Sequence, residues 1–268
     1  MRPVSDSFWV MTGAAGGIAQ ALRPGLRDLV GRWRLLDSRP VPDGDAHGDE
    51  SRVVDLRDRA ALIEAVRGAT GVVHLGGLAS EADREDIVEV NVLGTAHVLE
   101  AARQAGARRV VLASSNHATG FYGVDERIGP GAPPRPDSFY GVSKVAGEAL
   151  GSLYVDKFGL EVACIRIGHF AERPETARDL SIWISPRDTV AAFSAAMTFA
   201  DLRFSVFYGV SANTRGWWDI EPGRRIGYEP RDDAEAYAGT VPPVPDDETG
   251  RLQGGEFVPA AATLDPQR

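Results

Sequence analysis

Tyr140 and Lys144, in the run Tyr-Gly-Val-Ser-Lys, are the side chains whose types and spacing most clearly suggest chemistry. On a helix, residues four apart share a face, so the phenol and the ammonium can approach one point in space. A free phenol titrates near pH ~10, and a fixed ammonium beside it stabilises the phenolate, which would give a general base at neutral pH. An isolated pair at this spacing is ordinarily a partly buried ring and a solvated cation. The residues upstream change that reading. An apolar run from Val110 to Ala113 ends in Ser114 and Ser115, and nearer the start lies a glycine-rich turn, Thr12-Gly13-Ala14-Ala15-Gly16-Gly17.

These groups need a framework, and the pattern supplies an alternating strand and helix series. Phe8 to Met11 reads as a buried first strand. Gly13, Gly16 and Ala19 follow it and open a helix carrying Leu22 and Leu26. The first glycine allows a tight turn, the second lets backbone N–H groups approach a pyrophosphate, and a small third residue permits close packing of helix on strand. Gly13, Ala15, Gly16, Gly17 and Ile18 are therefore the expected phosphate loop. Trp33 to Leu36 is a second strand ending in Asp37, placed to accept hydrogen bonds from an adenosine ribose and to repel a 2′-phosphate. That favours NAD over NADP, although Arg39 two residues on could pair with a phosphate. Residues 40–50, rich in Pro, Gly and Asp, read as a loop.

Val53 to Leu56 ends a third strand, with a helix from Asp58 to Val66, and the run 71–77 (GVVHLGG) ends a fourth strand in Leu75, Gly76 and Gly77. His74 reads as structural. A long helix covers 86–104 and contains Asn91. A fifth strand, 109–113, delivers Ser114, Ser115, Asn116 and His117 to its carboxyl end, the edge where open α/β sheets bind ligands. Residues 130–136 must be loop, and Pro136-Asp137-Ser138 signals the start of the Tyr140 helix. Leu160 to Ile167 is a sixth strand, with Gly168 and His169 at its exit. Beyond 168 the pattern changes. Ser185-Pro186-Arg187-Asp188 is a capping-box signature for a helix to about Ala200, 204–208 is a strand, and Trp217-Trp218 reads as packing. From Val241 a Pro-, Asp-, Gly- and Thr-rich stretch predicts an extended, partly mobile tail. The expected division is a Rossmann-type doubly wound parallel sheet over 1–168 and a short substrate-binding portion with its tail over 169–268.

Bulk properties exclude several classes. The chain has 268 residues, 43% hydrophobic and 25% charged, enough for one main core. A net charge of -9 argues against a nucleic-acid partner, which would need a basic footprint. The single cysteine, Cys164, sits in an apolar run and cannot form an intramolecular disulfide. No apolar run reaches a membrane span and the N-terminus lacks a signal-peptide pattern, so a soluble cytoplasmic protein is expected. No metal is expected, and the sequence leaves a homo-oligomer open.

A nucleotide loop, a serine at a strand end and a Tyr/Lys helix, in that order, resemble the short-chain dehydrogenase/reductase superfamily, specifically its extended, sugar-processing branch. Ser114-Ser115-Asn116-His117, the run 135–144 (RPDSFYGVSK) and the run 211–219 (SANTRGWWD) closely resemble the uronate dehydrogenases, over nearly the whole chain. The resemblance implies NAD-dependent oxidation of the anomeric carbon of D-glucuronate or D-galacturonate to an aldaric acid lactone. It makes Tyr140 the base, has Ser115 orient the hydroxyl, and gives Lys144 the nicotinamide ribose and the lowering of the Tyr140 pKa. Asn91 would support a proton relay to Lys144. Asp55 and Leu56 fall beside the adenine, and Ile167 beside the cofactor. Asn116 and His117 would bind sugar hydroxyls, and Arg178 the sugar carboxylate. Two positions depart from the pattern: His169 and Ala79 stand where relatives carry substrate-facing serines. The alternatives are an aldose 1-dehydrogenase for a neutral or phosphorylated sugar, and a non-catalytic dinucleotide-sensing regulator.

Overall fold

The structure is a computed structural model that describes residues 8–44, 48–243 and 247–264. Among the described residues there are nine strands, most of them separated by helices. In chain order they are β1 (Phe8–Thr12), β2 (Arg32–Asp37), β3 (Glu50–Val53), β4 (Gly71–His74), β5 (Arg109–Ser115), β6 (Glu161–Ile167), β7 (His169–Phe170), β8 (Trp183–Ile184) and β9 (Phe204–Gly209). The principal helices are α1 (Gly17–Gly25), α2 (Arg59–Val66), α3 (Arg84–Asp86), α4 (Gly94–Ala105), α5 (Phe139–Phe158), α6 (Asp179–Ile182) and α7 (Pro186–Thr198). They are followed by the short α8 (Glu221–Arg225), α9 (Glu248–Arg251) and α10 (Ala260–Leu264).

Seven strands form one parallel sheet in the order β3-β2-β1-β4-β5-β6-β9, and β7 pairs with β8 apart from it. A strand buried on both faces needs apolar residues at consecutive positions, because successive side chains point to opposite sides. That is why runs such as Val10-Met11 and Val110-Val111 occur. Met11 and Val111 join the core that includes Leu22, Leu26 and Phe193, while Val10 and Val110 join the opposite core of Leu36, Leu62, Val98 and Leu99. The predicted doubly wound sheet is therefore observed. Cys164 is buried in the second of these cores, as packing.

The segment after residue 168 contributes to the same sheet and core. β9 pairs with β6, and Phe193 of α7 and Phe207 of β9 sit in one core with the α1 residues. Ser185 caps α7, accepting from the Asp188 N–H at 3.0 Å. The reciprocal half of the expected capping box does not form, because Asp188 instead receives the backbone N–H groups of Arg231 and Asp232, both at 2.9 Å. Trp218 packs as expected, stacked on Tyr208 at a centroid distance of 4.7 Å. Among the described residues no helix is long and apolar enough to cross a membrane.

Candidate active site

The chain leaves β1 for one side of the sheet and later returns to β4 on the other, and open sheets of this kind bind ligands beyond the carboxyl ends at such a switch point. A cavity of about 880 Å³ opens there. Asp37, Arg39, Asp55 and Leu56 line one end; Gly13, Gly16, Gly17 and Ile18 form the middle beside Leu75, Gly76 and Gly77; Ser115, Tyr140, Lys144 and Ile167 line the other. Most of the predicted cofactor residues thus share one elongated space, and Ala79 lines it too. Gly13 is required by geometry, since its φ is +69° and a Cβ there would lie 2.6 Å from the Gly76 nitrogen. Ala15 contributes through its backbone, its N–H donating to Asp37 Oδ2 at 3.0 Å. Arg39 is exposed and leans on Asp37, Nε to Oδ1 3.8 Å, and Asp55 pairs with Arg57 at 2.6 Å.

The helix predicted over 86–104 begins two residues earlier and contains a π-helical segment, Ile87–Leu93, between α3 and α4. Such insertions are frequent at functional sites. Asn91 lies within it, and its side chain accepts from Leu78 N–H at 2.7 Å while donating to the Leu78 carbonyl at 3.1 Å and to Ser143 Oγ at 3.0 Å. The expected relay to Lys144 is therefore not a direct contact. Asn91 clamps the loop after β4 onto α5. His74 is structural, fixed between Thr12 at 2.7 Å and Thr95 at 3.1 Å, and burial, followed by the nearby Lys144 charge, holds its pKa down at about 3.

Helix α5 is started by two acceptors. Ser138 Oγ takes the Gly141 N–H at 2.9 Å, and Glu81 takes the N–H groups of Phe139 and Tyr140 at 3.0 and 2.7 Å. One turn on, Lys144 Nζ lies 5.3 Å from the centre of the Tyr140 ring and donates to the Ala113 carbonyl at 3.0 Å. The predicted shared face is real. The predicted lowering of the Tyr140 pKa is not produced by the protein groups, because burial dominates: it pushes Tyr140 up to about 12 against the opposing pull of the Ser115 hydroxyl, and pushes Lys144 down to about 8. Beneath this pair, Glu148 receives both Nε and Nη2 of Arg166 at 2.8 Å and the Ser114 hydroxyl at 2.6 Å. The end of β5, the end of β6 and α5 are tied together at one buried carboxylate.

Of the five predicted substrate residues Ser115 lines the cavity, and the other four are held by the neighbours described next. His117 Nδ1 is held at 2.7 Å by the buried Asp137, and its ring meets that of Tyr140 edge-on at 5.9 Å. Oriented by its neighbours, the Asn116 amide donates to the Ile167 carbonyl and accepts from Arg178 Nη2, both at 3.0 Å. Arg178 also donates Nε and Nη2 to the Gln253 carbonyl at 3.0 and 2.6 Å. Burial lowers its pKa, opposed by the charges of Asp137, Asp179 and Glu256, and among the described residues no carboxylate receives its hydrogen bonds. His169 bonds to Asp179 at 2.7 Å.

The tail expected to be extended is instead folded over 247–264, with α9, a 3-10 turn and α10. This part is anchored by Gln253, whose side chain accepts from Trp218 at 2.8 Å and donates to the carbonyls of Gly123 and Glu126 at 2.9 and 3.0 Å. Gly255, at φ +60°, passes Arg178 so closely that a Cβ would lie 2.6 Å from its Nε. Phe257 then packs against His117, the rings tilted with centroids 4.0 Å apart. Polar satisfaction of a buried amide and one aromatic contact outweigh a composition that suggests disorder. Glu81, Asp137, Glu148, Gln253 and Phe257 are the site residues that sequence reasoning missed. Only Asp137, beside the helix cap, carried a local signal.

A family model described as NAD dependent epimerase/dehydratase family matches residues 9–199. Uronate dehydrogenase of Agrobacterium fabrum (strain C58) is 42% identical over 254 residues, which are 93% of this chain and 96% of that protein. The crystal structure of a glucuronic acid dehydrogenase from Chromohalobacter salexigens superposes with a TM-score of 0.92 at 39% identity, covering 97% of this chain and 99% of that one. That of a variant uronate dehydrogenase from Agrobacterium tumefaciens, complexed with NAD, gives 0.90 at 41%, covering 94% and 97%. With the glycine loop, the Ser115, Tyr140 and Lys144 constellation and near full-length similarity in agreement, the chain belongs to the NAD dependent epimerase/dehydratase family, among its uronate dehydrogenases.

Proposed function

We propose that the protein oxidises C1 of a hexuronic acid, D-glucuronate or D-galacturonate, with NAD, yielding the aldaric acid lactone. The observation that carries this reading is Arg178, a partly buried guanidinium beside the reactive end whose hydrogen bonds go only to neutral oxygens, a ready partner for a bidentate carboxylate. The cavity fits a dinucleotide: the left-handed Gly13 turn opens a helix N-terminus, and the Asp37 carboxylate stands at the opposite end from Tyr140 and Lys144. NAD bound along it supplies the hydride acceptor and, at its nicotinamide, a positive charge. Gly13, Gly16, Gly17 and Ile18 would hold the pyrophosphate, Asp37 the adenosine ribose, Asp55 and Leu56 the adenine, and Lys144 and Ile167 the nicotinamide half.

Within that arrangement Tyr140 takes the anomeric hydroxyl proton as C1 gives up its hydride, and Ser115 orients the hydroxyl. Asn91 acts through Leu78 and Ser143 as a positioning residue. Asn116, held on Arg178, and His117, held by Asp137, face the sugar hydroxyls. On this reading the portion up to residue 168 holds the cofactor and supplies Ser115, Asn116 and His117 to the sugar, and the portion beyond it adds Arg178. Initial rates of NADH formation on glucuronate, galacturonate, glucose, galactose and glucose 6-phosphate test the reading. Uronates are oxidised fastest, and Arg178→Ala raises their KM by about tenfold or more while hardly changing that of neutral sugars. Preference for a neutral or phosphorylated sugar would overturn it.

A further inference from the structure

The loop between β4 and α3 touches both the cavity and the helix that carries Tyr140. Its first part, Leu75 to Ala79, lines the cavity. Gly77 there has φ +150°, and a Cβ would lie 2.8 Å from Asn91 Oδ1, so the loop is pressed onto the clamp that Asn91 makes with both backbone groups of Leu78. Two residues beyond Ala79 the half-buried Glu81 turns to α5. Its two oxygens accept the N–H groups of Phe139 and Tyr140, at 3.0 and 2.7 Å, from 58 and 59 residues away in sequence. Arg84 closes the same grip, its guanidinium 5.5 Å over the Phe139 ring. Phe139 and Tyr140 are the first two residues of α5, where helices fray and N–H groups have no intrahelical acceptor. The local cap, Ser138, holds only the Gly141 N–H.

We propose that Glu81 is a positioning residue: by gripping the first turn of α5 from the loop that walls the cavity, it fixes the Tyr140 phenol relative to the cofactor wall. The inference rests on the reading of Tyr140 as the base of the uronate reaction. Stability alone does not call for this carboxylate, because α5 is 20 residues long and Ser138 already caps it. Lys144 lies one turn further in, where the helix's own hydrogen bonds hold its backbone, whereas Tyr140 lies outside that protection. Two charge-assisted bonds at the positive end of a helix are stronger than a neutral cap. Without them the first turn opens locally while the body of the helix stays folded, and the phenol loses its fixed place beside the Ser115 hydroxyl. A displacement of about 1 Å at a reacting group can cost about a hundredfold in rate.

The test compares the wild type with Glu81→Ala and Glu81→Gln in two measurements. Amide hydrogen exchange followed by NMR, with and without NAD, should be about tenfold or more faster at Phe139 and Tyr140 in Glu81→Ala, and unchanged in the second half of α5. Initial rates of uronate oxidation should show kcat lowered by about tenfold to a hundredfold, with the KM for NAD within about threefold of the wild type. Glu81→Gln keeps one acceptor oxygen and should recover part of both effects. Unchanged exchange at Phe139 and Tyr140 in Glu81→Ala, or a kcat within about twofold of the wild type, overturns the proposal. Faster exchange spread evenly along α5 overturns it as well, since Glu81 would then serve stability alone. Should Glu81→Ala fail to fold, Glu81→Gln carries the same comparisons, with faster exchange at Tyr140 and reduced kcat as the supporting result and no change in either as the refuting one. Should the wild type not oxidise uronates, the reading on which this rests falls, and the exchange result, which needs no sugar, still judges the grip itself.

Discussion

Glu148→Gln tests whether the reactive end is held from beneath by one buried ion pair. Arg166 and Glu148 are 2% and 8% exposed, and the guanidinium meets the carboxylate twice at 2.8 Å. Burial alone would lower the Arg166 pKa, yet the hydrogen bonds and charge of Glu148, helped by Tyr208, overcome this and raise it. A glutamine keeps the shape but removes the charge, and its NH₂ must face the Arg166 Nη2 donor. Breaking a buried pair on one side costs about 3–5 kcal/mol, because a buried cation is left uncompensated. For a chain of this size each kcal/mol moves the melting temperature by about 2–4 °C, so the fall should be roughly 6–20 °C in a circular-dichroism melt. Replacing both partners, Glu148→Met with Arg166→Met, should restore most of that loss, since two apolar side chains leave no orphaned charge. A fall of less than about 2 °C in Glu148→Gln, or a double variant as unstable as the single one, would refute the reasoning. The single variant should also lose kcat more than it raises the KM for NAD, because Glu148 ties Ser114 and α5 together one residue from Ser115.

Three further outcomes follow from named contacts. If Tyr140 is the proton acceptor, as proposed, Tyr140→Phe removes only that function, so turnover should be abolished while NAD still binds in a calorimetric titration; normal turnover would discard Tyr140 as the base. Gly255→Ala places a Cβ against Arg178 on a left-handed backbone, and should raise the KM for uronates about tenfold with NAD affinity unchanged; an unaltered KM would mean the tail does not shape the sugar end. The folded chain keeps His74 neutral down to about pH 3, whereas the unfolded chain protonates it near pH ~6.5. The unfolded state then binds the extra proton, and stability falls as pH drops through that window by about 1.4 kcal/mol per unit. Urea midpoints at two pH values should show this slope in the wild type and its loss in His74→Asn.

What was legible in the sequence was what is local. Gly13, Gly16 and Asp37 are read from a strand, a turn and a second strand within thirty residues, and the Tyr140 to Lys144 spacing is a property of one helix. Alternating burial of runs such as Val110-Val111 makes the parallel sheet readable in the same way. The missed residues act across long sequence distances. Glu81 caps a helix that begins 58 residues later, and Gln253 is bonded to Gly123, 130 residues away; neither partner marks the other in the chain. The pKa expectation failed for a related reason. Spacing shows that an ammonium can reach a phenol, but it does not show how much water both have lost, and here burial outweighs the pair, leaving Tyr140 at about 12 and Lys144 at about 8. With Tyr140 as the proposed base, the protein groups supply its position without its ionisation. On the proposed reading, the positive nicotinamide ring of NAD would have to supply much of the remaining stabilisation of the phenolate, which would tie proton removal to the presence of the hydride acceptor. The tail completes the same logic on the sugar side: a segment without periodic pattern becomes a wall because one amide, Gln253, finds partners for its side chain and its carbonyl.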